Sequence, residues 1–248
     1  MSDGQRVAII TGGSSGIGLA TGRMLVAAGY DVVLTARRAD VLESAADEIG
    51  ARWVAADAAD PEQFATVVEA AAEPSGHVDL LVHSAGMMAG TFVRKESLAT
   101  FDAVLRANLS SAFVVSAAVL PVMATGGRIV FVSSSSSTSP QPGKSAYSAS
   151  KAGLNAFAAA LADEVERDGI AVHTVVTGPV ATPMLDDVHF PMRTLAVDDV
   201  ASAIVALDHL APNVRLPIID LSSVDTGPFA PDPFVPEAAR ALGRTELP

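Results

Sequence analysis

Cysteine is absent from the 248 residues, which excludes disulfides, thiolate metal ligands and a cysteine nucleophile together. Basic residues are few: 16 Lys and Arg stand against 28 Asp and Glu, a formal net charge of −12. That balance excludes nucleic acid as a partner, because phosphate binding needs clustered Lys and Arg. It equally leaves no polybasic patch for an anionic membrane surface. No uninterrupted apolar run reads as long enough to span a bilayer, and residues 1–6 are polar, without the apolar core of a signal peptide. The cytoplasm is the expected location. Repeats of fixed period and linkers are also missing, so residues 1–248 read as a single domain, with 226–248 an irregular, proline-rich tail.

Hydrophobic residues make up 50% of the chain, enough for a sizeable core. Short β-rich runs at 7–11, 31–36, 52–55, 80–84, 128–132, 172–176 and 216–221 alternate with helical stretches at 16–28, 39–49, 61–72, 98–122, 147–168 and 197–210. Several runs are apolar on both faces, as in central parallel strands covered by helices on each side. The rhythm predicts an α/β fold: a doubly wound Rossmann domain, its parallel sheet of about seven strands carrying helices on both faces.

The first strand ends in Thr11-Gly12-Gly13-Ser14-Ser15-Gly16-Ile17-Gly18 and a helix follows at once. Glycines there let the backbone approach a pyrophosphate, and the helix start supplies free amide donors and a positive dipole end. This marks a dinucleotide site, with Gly12, Ser14, Ser15, Gly16, Ile17 and Gly18 as contacts. After the second strand, where NAD enzymes place an acid for the ribose 2′-hydroxyl, stand Thr35-Ala36-Arg37-Arg38. Guanidinium groups pair with a 2′-phosphate, so the expected cofactor is NADP; the alternative leaves Arg37 and Arg38 facing water. Asp57 and Ala58 close the third strand, where Asp57 serves either the adenine amino group or a turn.

Tyr147 and Lys151 lie four residues apart at a helix start, hence on one face. A neighbouring ammonium stabilises phenolate and moves tyrosine toward the range useful for acid/base work. The fifth strand runs into Ser133-Ser134, where a hydroxyl can donate to a carbonyl as negative charge develops.

Over nearly its whole length the chain resembles the classical branch of the short-chain dehydrogenase/reductase family. The resemblance rests on Thr11-Gly12-x-x-x-Gly16-x-Gly18, Asn108 in Arg106-Ala107-Asn108, Ala85-Gly86, a serine before Tyr147-x-x-x-Lys151, and Gly178-Pro179-Val180-Ala181-Thr182. It favours Ser134, thirteen positions before Tyr147, over Ser133. It implies a catalytic set of Asn108, Ser134, Tyr147 and Lys151. It adds Ala85, Gly86, Gly178, Val180 and Thr182, with Tyr147 and Lys151, to the cofactor contacts.

The implied reaction interconverts a ketone or aldehyde, of 3-oxoacyl type or similar, and its alcohol, with Tyr147 as acid/base. Asn108 would hold a water linking Lys151 to solvent. No metal is implied. A homodimer or homotetramer is expected, through the Ala-rich helices at 98–122 and 147–168. A regulator that senses NADP without turnover is the alternative, and the intact four-residue set argues against it. The chain departs from the family at His83-Ser84, where Asn-Asn is usual; His83 is expected to be a buried, hydrogen-bonded replacement. It departs again at Thr177-Gly178 for Pro-Gly and at Asp220-Leu221-Ser222-Ser223 for Asp-Gly-Gly. Residues 183–192 should form a short lid. With Met87 and Met88 it suggests an apolar substrate pocket, unless those methionines are core packing.

Overall fold

Alternate residues of the strands face opposite ways, and that period of two divides the core. In the computed structural model, which describes residues 5–185, 193–211 and 214–224, Ile9, Val33, Leu81 and Ile129 point to one face, and Ile10, Leu34, Leu80 and Val130 to the other. The strands are β1 (Val7–Thr11), β2 (Asp31–Ala36), β3 (Arg52–Ala55), β4 (Val78–His83), β5 (Met123–Ser134), β6 (Ala171–Thr177) and β7 (Ile218–Leu221). They form one sheet in the order β3-β2-β1-β4-β5-β6-β7, every neighbouring pair parallel. Helices α1 (Gly16–Ala27), α2 (Ala39–Ile49) and α7 (Val197–Asp208) cover the second face through Leu25, Leu42 and Ile204. Helices α3 (Pro61–Ala72), α4 (Leu98–Leu105), α5 (Ser111–Val119) and α6 (Ser145–Glu164) complete the set; Phe64, Val115 and Leu154 seal the first face. Each such side chain, fully buried, contributes about 1.5–3 kcal/mol of transfer free energy.

Local chemistry sets the helix ends. The Asp60 carboxylate accepts from the amides of Glu62 and Gln63, and Pro61 occupies the first turn of α3, where its missing N–H costs nothing. Gly50 ends α2 in the left-handed conformation at φ 73°.

The expected helix at 98–122 is divided. One π-helical turn, Arg106–Ser110, separates α4 from α5, and a 3-10 turn, Leu120–Val122, follows. The wider turn turns the Asn108 side chain toward the chain after β4, a tertiary demand that helical periodicity does not record. The run Leu98–Val122 has 25 residues and an 18-residue window of mean hydropathy 1.6, but Asp102, Arg106 and Asn108 interrupt it. Val104, Ala112, Val115 and Val119 of this run are buried in the fold, while Leu98 and Phe113 are exposed. Strand β5 begins earlier than expected, paired with β4 at Val78–Met123 across a register irregularity. Residues 186–192 and the tail from 225 lie outside the described residues.

At the sheet edge opposite the glycine loop, Arg6 donates to both oxygens of Asp208 at 2.6 and 2.8 Å, and the Tyr30 hydroxyl donates to the same carboxylate. The Arg6 guanidinium also lies 4.9 Å from the Tyr30 ring centroid. This clasp ties the start of β1 to the end of α7. The Asp208 side chain is only 2% exposed, and replacing Oδ2 by an amide nitrogen would leave Arg6 Nη1 and the Tyr30 hydroxyl without their shared acceptor. Asp208→Asn is expected to cost about 2 kcal/mol, or about 4–8 °C in melting temperature. A thermal melt checks it; an unchanged midpoint would show that the clasp adds nothing.

Candidate active site

The sheet order reverses beside β1: β2 and β3 extend to one side, β4 to β7 to the other. Ligands bind at the carboxyl ends of strands at such a switch point. There Gly12 and the segment after β4 nearly touch. A Cβ on Gly12 would sit 2.9 Å from the Ala85 amide nitrogen, and Gly12 adopts φ 69°. A Cβ on Gly18 would lie 2.5 Å from the Gly12 carbonyl oxygen, so only glycine lets α1 start this close to the loop.

A cleft of 610 Å³ runs along this edge. Its wall includes Gly12, Ser14, Ser15, Gly16, Ile17, Gly18, Arg37, Arg38, Asp57, Ala58, Ala85, Gly86, Ser134, Tyr147, Lys151, Gly178, Val180 and Thr182, every site residue expected from the sequence except Asn108. That size is within the usual range for small-molecule sites. Asn108 is fully buried behind the wall. Its Oδ1 accepts from the Met87 amide at 2.7 Å, while its Nδ2 donates to the Met87 carbonyl and to Ser150 Oγ, each at 2.9 Å.

The two serines at the end of β5 divide their roles. Ser133 Oγ donates to Asn155 at 2.6 Å and is committed to packing. Ser134 is half-buried in the wall, where its hydroxyl accepts only from the Ser136 amide at 3.2 Å. On its other side it hydrogen-bonds the Tyr147 hydroxyl, so the two groups face the cleft as a pair. Lys151 Nζ donates to the Val132 carbonyl at 2.9 Å and lies 5.9 Å from the Tyr147 ring centroid. Tyr147 packs with Val104 and Ala146, backed by Met87, Met88 and Phe101. The methionines thus line the cleft and also pack against the tyrosine.

Burial decides the protonation states. Desolvation raises the Tyr147 pKa, and the Ser134 hydroxyl, acting the other way, does not overcome it. The expected lowering by Lys151 is therefore not found in the free chain. Tyr147 holds its proton at neutral pH, which is the form a proton donor needs. Burial lowers Lys151 from 10.5 to about 8. An unfolded lysine keeps its proton up to 10.5, so between 8 and 10.5 unfolding takes up a proton and rising pH stabilises the fold. Lys151→Met should therefore raise the stability of the free chain at pH 7 by about 2–3 kcal/mol, and the gain should shrink by pH 10. Urea denaturation at the two pH values measures it; destabilisation at pH 7 would refute the desolvation cost.

The donors fit a dinucleotide. Glycine-loop amides open α1, and Arg37 and Arg38 are exposed in the wall, with no carboxylate partner among the described residues. Asp57 is part of a turn: its Oδ1 accepts from the Ala59 amide, and its Oδ2 lies 3.5 Å from Arg106. Sequence reasoning missed Ala107 in the π-helical turn, Ser111 just after it, and Gln141 and Lys144 before α6, all in the wall. Lys144 did carry a signal. It occupies the N-cap of α6, where Ser, Thr, Asp or Asn is preferred and a cation opposes the helix dipole.

The comparisons agree with this geometry. A family model described as short chain dehydrogenase matches residues 6–191. The acetoacetyl-CoA reductase of Cupriavidus necator is 37% identical over 190 residues, 73% of this chain and 77% of that one. A 3-oxoacyl-(acyl-carrier-protein) reductase of Salmonella typhimurium is 34% identical over 188 residues, 74% and 77% of the two chains. Among solved structures, a short-chain dehydrogenase of Burkholderia cenocepacia in complex with NADP superposes with a TM-score of 0.79. It is 32% identical, over 88% of this chain and 95% of that one.

Proposed function

The chain belongs to the short-chain dehydrogenase family and is an NAD(P)-dependent oxidoreductase, and we propose that it reduces a 3-oxoacyl thioester or similar ketone with NADPH. The observation that carries this reading is the convergence of Ser134, Tyr147 and Lys151 in the wall of one cleft whose other end offers Arg37 and Arg38. When bound, NADPH would supply the hydride to the carbonyl carbon. Ser134 donates a hydrogen bond to the carbonyl oxygen, and Tyr147, which holds its proton in the free chain, delivers it to that oxygen as charge develops. Lys151 places a cation 5.9 Å from the tyrosine ring centroid and would hold the nicotinamide ribose. Asn108 fixes the strap at Met87 from behind. The glycine-loop amides would hold the pyrophosphate, and Gly178, Val180 and Thr182 would hold the nicotinamide end. Met87 and Met88 supply adaptable apolar surface for an acyl chain.

Fluorescence titration with NADPH, followed by NADPH oxidation across a carbonyl panel that includes acetoacetyl-CoA, tests this. Binding without turnover on any carbonyl would overturn the catalytic reading, and no binding would overturn the site. We also assign a dimer or tetramer, on the exposed Leu98 and Phe113, 73% and 62% accessible on α4 and α5. A light-scattering mass near the 25.3 kDa of one chain would rule that out.

A further inference from the structure

His83 ends β4 at the switch point, opposite Thr11 of β1 and Phe131 of β5 in the sheet register. Its side chain is 1% exposed. Nδ1 lies 2.8 Å from Thr11 Oγ1 and Nε2 lies 3.0 Å from Ser111 Oγ. The ring stands edge-on to Phe131, centroids 6.0 Å apart.

Each hydroxyl has one proton, so the directions of these bonds are determined. Ser111 Oγ donates to the Ala107 carbonyl at 2.8 Å and must therefore accept from the imidazole, which puts the ring proton on Nε2. Thr11 Oγ1 accepts from the Ala85 amide at 3.1 Å and donates to the bare Nδ1. A continuous relay results, from the Ala85 amide through Thr11, His83 and Ser111 to the Ala107 carbonyl. One end grips the strap after β4. The other grips the π-helical turn that carries Asn108, whose amide clamps the same strap two residues further on, at Met87. Between the two clamps lies Gly86, where an added Cβ would be 2.9 Å from Asn108 Oδ1 and 3.7 Å from Lys151 Nζ.

We propose that His83 is a positioning residue for the reacting centre: through both ring nitrogens it holds the strand end and the π-helical turn at a fixed separation, and so sets where Asn108 and the 84–87 strap sit relative to Lys151. This rests on the reading of Tyr147 and Lys151 given above. His83 is not a catalytic base, because burial, and secondarily the charge of Lys151, lower its pKa to about 3. An asparagine, usual at this position in the family it resembles, places one acceptor near the Nδ1 position and cannot also reach Ser111. The tie to the turn is thus a property of the histidine in this chain.

His83→Asn keeps the contact to Thr11 and cuts the contact to Ser111; Ser111→Ala cuts it from the other side. Each is expected to lower kcat about tenfold on whichever panel carbonyl turns over fastest, with the NADPH Kd within about twofold, since small displacements of reacting groups cost rate first. The double variant should be no slower than either single one, because both remove one link. Nitrogen-15 NMR of the wild-type imidazole should show the Nε2–H tautomer from pH 5 to 8, and amide exchange at Met87 and Asn108 should quicken in His83→Asn. Unchanged kcat with a lowered melting temperature would reduce His83 to a structural residue, and an Nδ1–H tautomer would break the relay. Should no carbonyl be turned over by the wild-type chain, the functional reading fails and the NMR and exchange results decide the relay alone.

Discussion

Tyr147→Phe is expected to lower kcat for carbonyl reduction by about 10²–10⁴-fold while the NADPH Kd changes by less than about threefold. The substitution removes one oxygen from a ring whose packing against Val104, Ala146 and the two methionines is otherwise kept. Of the groups around it, none of Lys151, Ser134 and His83 is placed to take over. Lys151, lowered to about 8 by burial, is committed to the Val132 carbonyl. Ser134 offers a hydroxyl with no base behind it, since Asn155 is bound to Ser133 and Ser137. His83 is already bonded at both nitrogens and stays neutral. Stopped-flow turnover beside a fluorescence titration separates rate from binding. A Tyr147→Phe variant that turns over at near the wild-type rate would remove the proton-transfer assignment.

NADPH is expected to be preferred over NADH by about ten- to a hundredfold in kcat/KM, and Arg37→Ala to remove most of that preference. The two cofactors differ by a 2′-phosphate, so the site must discriminate by local charge. An acid after β2 would repel the phosphate; this chain has Thr35 and Ala36, then Arg37 and Arg38 in the cleft wall. A charge-assisted guanidinium–phosphate contact contributes about 1.5–3 kcal/mol, which gives that range by affinity arithmetic. Both arginines are exposed, so salt should weaken the preference. The net charge of −12 acts from farther away and is largely screened beyond about 10 Å. Steady-state kinetics with both cofactors at two salt concentrations check this. Equal efficiency with NADH, or an unchanged NADPH Kd in Arg37→Ala, would show that the arginines do not read the phosphate.

What was legible in the sequence is what is local. The loop from Gly12 to Gly18 and the four-residue step from Tyr147 to Lys151 carry their geometry in their spacing, because strand ends and helix faces repeat. The central strands were legible as apolar on both faces, and Ile9 and Ile10 indeed pack on opposite sides of the sheet. The π-helical turn was not, since it answers to Met87 and Ser150, 21 and 42 positions away. The Tyr147 pKa was misjudged in the same way: spacing supplied the ammonium but not the burial that outweighs it. Gln141 and Lys144 enter the wall only because the loop before α6 folds over the cleft.

The turn Arg106–Ser110 is also a seam in the chain. A π-helical turn holds one residue more than α-helical winding requires, and the helices on either side keep their faces in register across it. A deletion of one residue there would let the winding close into continuous α-helix, with Val104 on one side and Ala112, Val115 and Val119 on the other still inward. The sheet and its helices would survive such a loss; the grip of Asn108 on Met87 would not. Folding and turnover should thus be separable in this chain by the loss of a single residue at this turn.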